Sequence, residues 1–166
     1  MEIAHVAYKP SWPQELWETV SPCGRLSNTF AGMGQNRCCF NAALQILTGI
    51  PHIEHGLQSA FVVAGRQARP DTQKLWTNSL ARLVVNAIQH IKSVAATDSV
   101  GDLKWFVEEL GRRFPAMQNV VQWLDQERGI LVQQDAEQVL RDLFRALAEE
   151  SSDVLERQDL SLDEAS

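Results

Sequence analysis

Two adjacent cysteines, Cys38 and Cys39, follow a glycine-rich polar loop at 32–37 (GMGQNR), and an apolar run at helical spacing begins directly behind them. The strong helix formers Ala42, Ala43, Leu44 and Leu47 put one or other cysteine at or near a helix N-terminus. A thiol at such a place meets unpaired N–H groups and the positive end of the helix dipole, which favour the thiolate, the nucleophilic form. The chemistry this could support is covalent attack on a carbonyl. That requires an activated thiol, a base within hydrogen-bond reach and donors for the developing oxyanion. A free cysteine is also a small buried hydrophobe, and the residue types alone leave both members of the doublet open to either role.

The other groups able to do chemistry are four histidines, His5, His52, His55 and His90. His52 and His55 follow Pro51, but no cysteine or carboxylate set completes the four ligands of a structural zinc site; neither metal nor other cofactor is expected. His90 falls near the apolar face of a long helical pattern and reads as a packed or surface residue. Trp12 and Trp17 read as packing residues that pin an N-terminal arm to the body.

These residues must be positioned by a chain of 166 residues, long enough to bury a core without staples. The net charge of −6 argues against nucleic-acid or anionic-membrane partners, which need a basic field. Three cysteines, two of them neighbours, suggest no disulfide framework. The start MEIAHVAYKPSWPQ has neither a basic n-region nor an apolar h-region, and no run approaches eighteen apolar residues. An intracellular chain, in cytoplasm or nucleus, is expected.

Residues 1–30, with Pro10, Pro13 and Pro22, read as an extended arm with a short strand at 3–8. Residues 31–150 read as a helical body. A first helix at 39–47 stops at Thr48-Gly49-Ile50-Pro51. Residues 57–64 could be helix or buried strand. From Pro70-Asp71 onward Leu75, Trp76, Leu80, Leu83, Val84, Ala87, Ile88, Ile91 and Val94 recur at three- and four-residue steps, one face of a long amphipathic helix. A loop at 95–100 leads to a helix at 102–114 ended by Pro115. Val120, Val121 and Leu124 suggest a short helix closed by Gly129. Ala136, Val139, Leu140, Leu143, Phe144 and Leu147 mark another clear helix, and residues 151–166, acidic and serine-rich, read as a frayed tail or truncation point. The fold class expected is mainly α.

Two blocks carry a resemblance. Asn36-Arg37-Cys38-Cys39-Phe40-Asn41-Ala42-Ala43-Leu44-Gln45-Ile46-Leu47 follows a G-N-T-C-[YF]-M-N-A-x-L-Q-x-L pattern, and Gln133-Gln134-Asp135-Ala136-Glu137-Gln138-Val139-Leu140-Arg141-Asp142-Leu143-Phe144 follows Q-Q-D-A-x-E-F-L-x-x-L-[LF]. These are the Cys box and the second box of the ubiquitin-specific proteases, papain-like deubiquitinases, which the chain resembles from about residue 28 to 150. The resemblance implies the helical (thumb) subdomain of a papain-like α+β cysteine peptidase. It makes Cys38 the nucleophile and puts Cys39 where the family usually has an aromatic. It implies that Gln134, Asp135 and Gln138 lie along the channel for ubiquitin's arginine-containing tail, and that ubiquitin or ubiquitin-like conjugates are the partners. The isopeptide bond after the modifier's C-terminal glycine would be the one cut.

Three departures accompany it. The family's oxyanion-stabilising Asn, five residues before the cysteine, corresponds to Met33, so Asn36 or Gln35 becomes the candidate donor. The family's Glu in the second box is Gln138. No histidine stands in a G-H-Y-like setting, so the base is expected from outside this chain, which alone should turn over little or nothing. Asp135 has a simpler reading as a first-turn acid that offsets a helix dipole. The alternative function is a catalytically inactive ubiquitin-binding or interaction domain of the same descent. A viral-type papain-like protease shares the start of the Cys box, but the QQDA helix argues against it.

Overall fold

The Val84–Ile91 stretch shows why one helix lies at the centre. Val84, Ala87, Ile88 and Ile91 have no exposed surface, and their three- and four-residue spacing puts them on one stripe. Each of the valine and isoleucine side chains contributes about 1.5–3 kcal/mol on burial, so this face demands covering from several sides. In the computed structural model, which describes residues 25–26, 29–30, 33–34, 36–59, 75–97 and 100–163, the stripe belongs to helix α3 (Leu80–Ala96). Helices α1 (Cys38–Thr48), α2 (Ile53–Ser59), α4 (Lys104–Arg113) and α5 (Ala136–Asp163) all pack on it. The chain is mainly α, as expected.

Strands are short. β1 (Arg25–Leu26) pairs in parallel with β4 (Val100–Gly101), so Arg25 faces Val100 and Leu26 faces Gly101. β2 (Thr29–Phe30) and β3 (Met33–Gly34) form an antiparallel pair, as do β5 (Trp123–Asp125) and β6 (Ile130–Leu131). The expected strand at 3–8, the packing of Trp12 and Trp17, and residues 60–64 lie outside the described residues. Residues 53–59 are helical, which decides the start of the ambiguous 57–64 segment.

Three expectations are corrected. The long pattern from residue 75 is not one helix: residues 78 and 80 are helical, but Ser79 between them is extended at φ −77, ψ 155. Its hydroxyl accepts from the Arg82 amide at 3.0 Å and donates to the Trp76 carbonyl at 2.8 Å, an N-cap that restarts the helix while the apolar face runs on. Residues 120–124 are not a helix either. The amides of Val120 and Val121 close on the Met117 carbonyl at the end of a tight turn (Pro115–Met117), and the chain then enters the β5–β6 hairpin. Asp125 Oδ1 accepts from the Arg128 amide at 3.0 Å and Gly129 takes φ 67, a left-handed turn position that suits glycine. A register irregularity between Trp123 and Asp125 leaves Leu124 70 % exposed. Finally, the helix expected to fray after Glu150 continues to Asp163. The hydroxyls of Ser151 and Ser152 bond back to the carbonyls of Leu147 and Ala148 at 2.9 and 3.0 Å, so these serines ride in the helix rather than ending it.

Candidate functional site

Cys38 is the first residue of α1 and is exposed; Cys39, the second, is buried. Successive helix residues point about 100° apart, so an element with one face in the core cannot present both. The core face here is Phe40, Ala43, Leu44 and Leu47, each 1 % exposed, and it carries Cys39 inward. The Cys39 thiol lies 3.7 Å from the Asn36 carbonyl oxygen. Burial pushes this thiol up from its ordinary value, and the neighbouring Cys38 adds to the effect; the main-chain amides of Phe40, Gln134 and Cys39 pull the other way and do not prevail. Cys39 therefore stays protonated near neutral pH, a packing thiol and a poor nucleophile.

The loop ahead of the helix is held on two sides. Asn36 adopts φ 55, a left-handed conformation that asparagine tolerates better than most residues. Its Nδ2 donates to the Leu131 carbonyl at 2.9 Å, a contact across 95 residues of sequence. A side-chain amide nitrogen carries two hydrogens, so this bond orients Asn36 without using up its donor capacity. Arg37, the N-cap residue, is 1 % exposed, and its guanidinium meets the Asp102 carboxylate through Nη1 and again through Nη2 at 3.4 Å. Asp102 also accepts from the Lys104 amide at 2.7 Å, at the start of α4. Partial burial works against the Asp102 charge, but Arg37 and the Lys104 amide outweigh it and hold the carboxyl below the ordinary aspartate value. The first turn of α1 contains no acidic residue and, among the described residues, no side-chain cap.

The second block adjoins the first. Gln134 is half-buried, and α5 then packs along α1. Asp135 is the N-cap of α5: its carbonyl accepts from Val139 at 3.0 Å and its Oδ1 from the Glu137 amide at 2.7 Å. The helix-start role is thus present, and because the side chain remains exposed its charge still faces solvent. Gln138 is half-buried, and its Nε2 donates to Asp142 Oδ2 at 2.7 Å, with Arg145 3.4 Å from Asp142 Oδ1.

Other sequence candidates fall elsewhere. Met33 lies in β3 opposite Phe30; Gln35 lies outside the described residues. His90 packs edge-on against Trp105 with ring centroids 6.2 Å apart, and its Nε2 is buried without a hydrogen-bond partner among the described residues. His52 and His55 are exposed. Among the described residues no histidine hydrogen-bonds Cys38, and no group of three or more His, Cys, Asp and Glu could hold a metal. No described helix is long and apolar enough to cross a membrane. Sequence reasoning missed Arg37 and Asp102: a lone arginine before a cysteine and a lone aspartate 65 residues later carry no local pattern that joins them. No protein-family model, curated protein or solved structure matches the chain.

Proposed function

We propose that this chain is the nucleophile-bearing part of a thiol-dependent hydrolase acting on ubiquitin or ubiquitin-like conjugates, with Cys38 as nucleophile. The observation that carries this reading is the junction of the two blocks. An outward Cys38 begins α1, which packs along α5, the helix that the QQDA segment opens, while Asn36 beside it bonds Leu131 just before that segment. In the proposed reaction a base histidine from outside these residues takes the Cys38 thiol proton, and the sulfur attacks the carbonyl carbon of the modifier's terminal glycine. The bond to the substrate amine breaks as the histidine passes that proton to the leaving nitrogen, and water then hydrolyses the Cys38 thioester to free thiol and carboxylate. The donors this reading assigns to the developing oxyanion are the Cys38 amide and a side chain of the preceding loop, Asn36 or Gln35, and one such donor is worth about 3 kcal/mol in the transition state. A papain-like thumb is the fold this reading implies.

The test is a ubiquitin carrying a C-terminal vinyl ester, offered to this chain and to a C-terminally extended version. The extended chain should form an adduct that C38S abolishes and C39S retains, while the 166-residue chain turns over little or nothing. An adduct mapped to Cys39 would overturn the assignment. Gln138 favours a second reading, binding without cleavage: it stands where the resembled family has a glutamate, and its amide is committed to Asp142. Ubiquitin binding by the extended chain with no adduct at Cys38 would select that reading.

A further inference from the structure

We propose that Arg37 and Asp102 form a positioning clamp that makes Cys38, and not Cys39, the outward thiol of the doublet. Adjacent helix positions differ by about 100°, so a rotation or fraying of less than half a turn at the start of α1 would exchange the two sulfurs. The body of the helix is fixed by Phe40, Leu44 and Leu47. Its first turn is a different matter, because it has no side-chain cap among the described residues and no first-turn acid, and uncapped helix ends open locally at low cost.

Arg37 supplies the hold that a cap would normally give. It is the residue immediately before Cys38, its side chain is almost entirely buried, and its planar fork engages both oxygens of one carboxylate. That carboxylate is itself fixed, since Asp102 accepts the Lys104 amide and directly follows β4, whose backbone pairs with β1. On the other side Asn36 is pinned in its left-handed conformation through Leu131. The backbone at 36–37 is therefore gripped from the α4 start and from the β5–β6 hairpin. The rotation of the first turn follows from that grip, with Cys39 turned toward the Asn36 carbonyl. The inference rests on the reading above only for the substrate; the presentation of the thiol is tested without ubiquitin, so the two can fail separately.

The experiment follows iodoacetamide modification of Cys38 and Cys39 in the full chain by peptide mass spectrometry, comparing wild type with D102A, D102N, D102E and R37K. G111A, a destabilised variant distant in sequence from the doublet, serves as control. In wild type Cys38 reacts well ahead of Cys39. Loss of the carboxylate in D102A raises the Cys39-to-Cys38 rate ratio by about tenfold through opening of the first turn, and the neutral D102N moves it in the same direction. D102E, which restores the carboxylate, returns the ratio toward wild type, and R37K, which keeps the charge without the fork, falls between. G111A leaves the ratio unchanged. If D102A does not fold by circular dichroism, D102N and R37K decide. A wild-type ratio in folded D102A or D102N, or an equal change in G111A, overturns the clamp.

Discussion

At the scale of single residues, Arg37 carries the largest electrostatic stake. A guanidinium 1 % exposed has little water beside it, and breaking a fully buried pair costs about 3–5 kcal/mol. Asp102 is 53 % exposed, so solvent already screens its half of the pair, and we expect D102A to lose about 2 kcal/mol in urea unfolding. The sign of the pH dependence follows from the lowered carboxyl. Its contribution is present above the ordinary aspartate range and disappears as pH falls through the folded-state value. Wild type should therefore lose its advantage over D102A on acidification; an advantage that grows toward acid would contradict the pairing. Cys39 makes the opposite kind of case. Its chemistry is silenced by burial, and the same burial is what makes it useful to the packing of α1.

At the scale of elements, the start of α3 is stitched from outside itself. Glu150 of α5 reaches across, its Oε1 accepting from the Leu80 amide at 2.7 Å and its Oε2 from Ala81 at 3.0 Å. Desolvation raises the Glu150 carboxyl from its ordinary value despite these amides and the nearby Arg113. The folded state then holds its proton to higher pH than the unfolded chain does, so this group's contribution falls as pH rises through that interval. The melting temperature of wild type should decline relative to E150Q as pH rises through and above the ordinary glutamate range; a rise instead would mean that the amide bonds outweigh desolvation.

Helix α4 meets the segment after the tight turn at Gly111, where a Cβ would stand 2.6 Å from Val121 Cγ1 and 3.2 Å from its Cβ. Alanine gains about 1 kcal/mol in helix propensity over glycine, but overpacking costs about 1–3 kcal/mol. G111A should be destabilised by about 1 kcal/mol on balance. Adding V121A should recover part of that loss, with a coupling of about 1 kcal/mol in a double-mutant cycle. Additivity of the two substitutions would show that the contact is slack.

At the scale of the whole molecule, packing of α1 and α5 on α3 brings together segments that sequence keeps almost a hundred residues apart. If the outward Asp135 also receives an arginine-bearing tail, as the resemblance implies, then D135N should weaken binding of ubiquitin about tenfold through loss of one charge-assisted contact. It should also flatten the salt dependence of binding, and calorimetry at two ionic strengths reads both. Unchanged affinity would leave Asp135 with the helix cap alone. The net charge of −6 makes a basic partner surface electrostatically favourable, a property of the chain as a whole and separate from this contact.

Much of the helical framework was legible in the residues. The stop at Gly49 and Pro51, the apolar stripe of α3, the end of α4 before Pro115 and the start of α5 are local properties of three- and four-residue spacing and of proline and capping chemistry. The break at Ser79 left no mark on the pattern, because the apolar face is continuous through it. Val120, Val121 and Leu124 read as helix because a window of five cannot separate a helix from a turn followed by a strand. For the candidate site, sequence determined that a thiol would stand at a helix start and that two recognisable blocks frame the middle of the chain. Which cysteine faces outward was open from residue types alone and was chosen only by the resemblance. The tertiary structure decided it on physical grounds, since the answer depends on which side of α1 the core covers. It also depends on a buried arginine meeting an aspartate 65 residues away, an interaction between distant residues that no local spacing can encode.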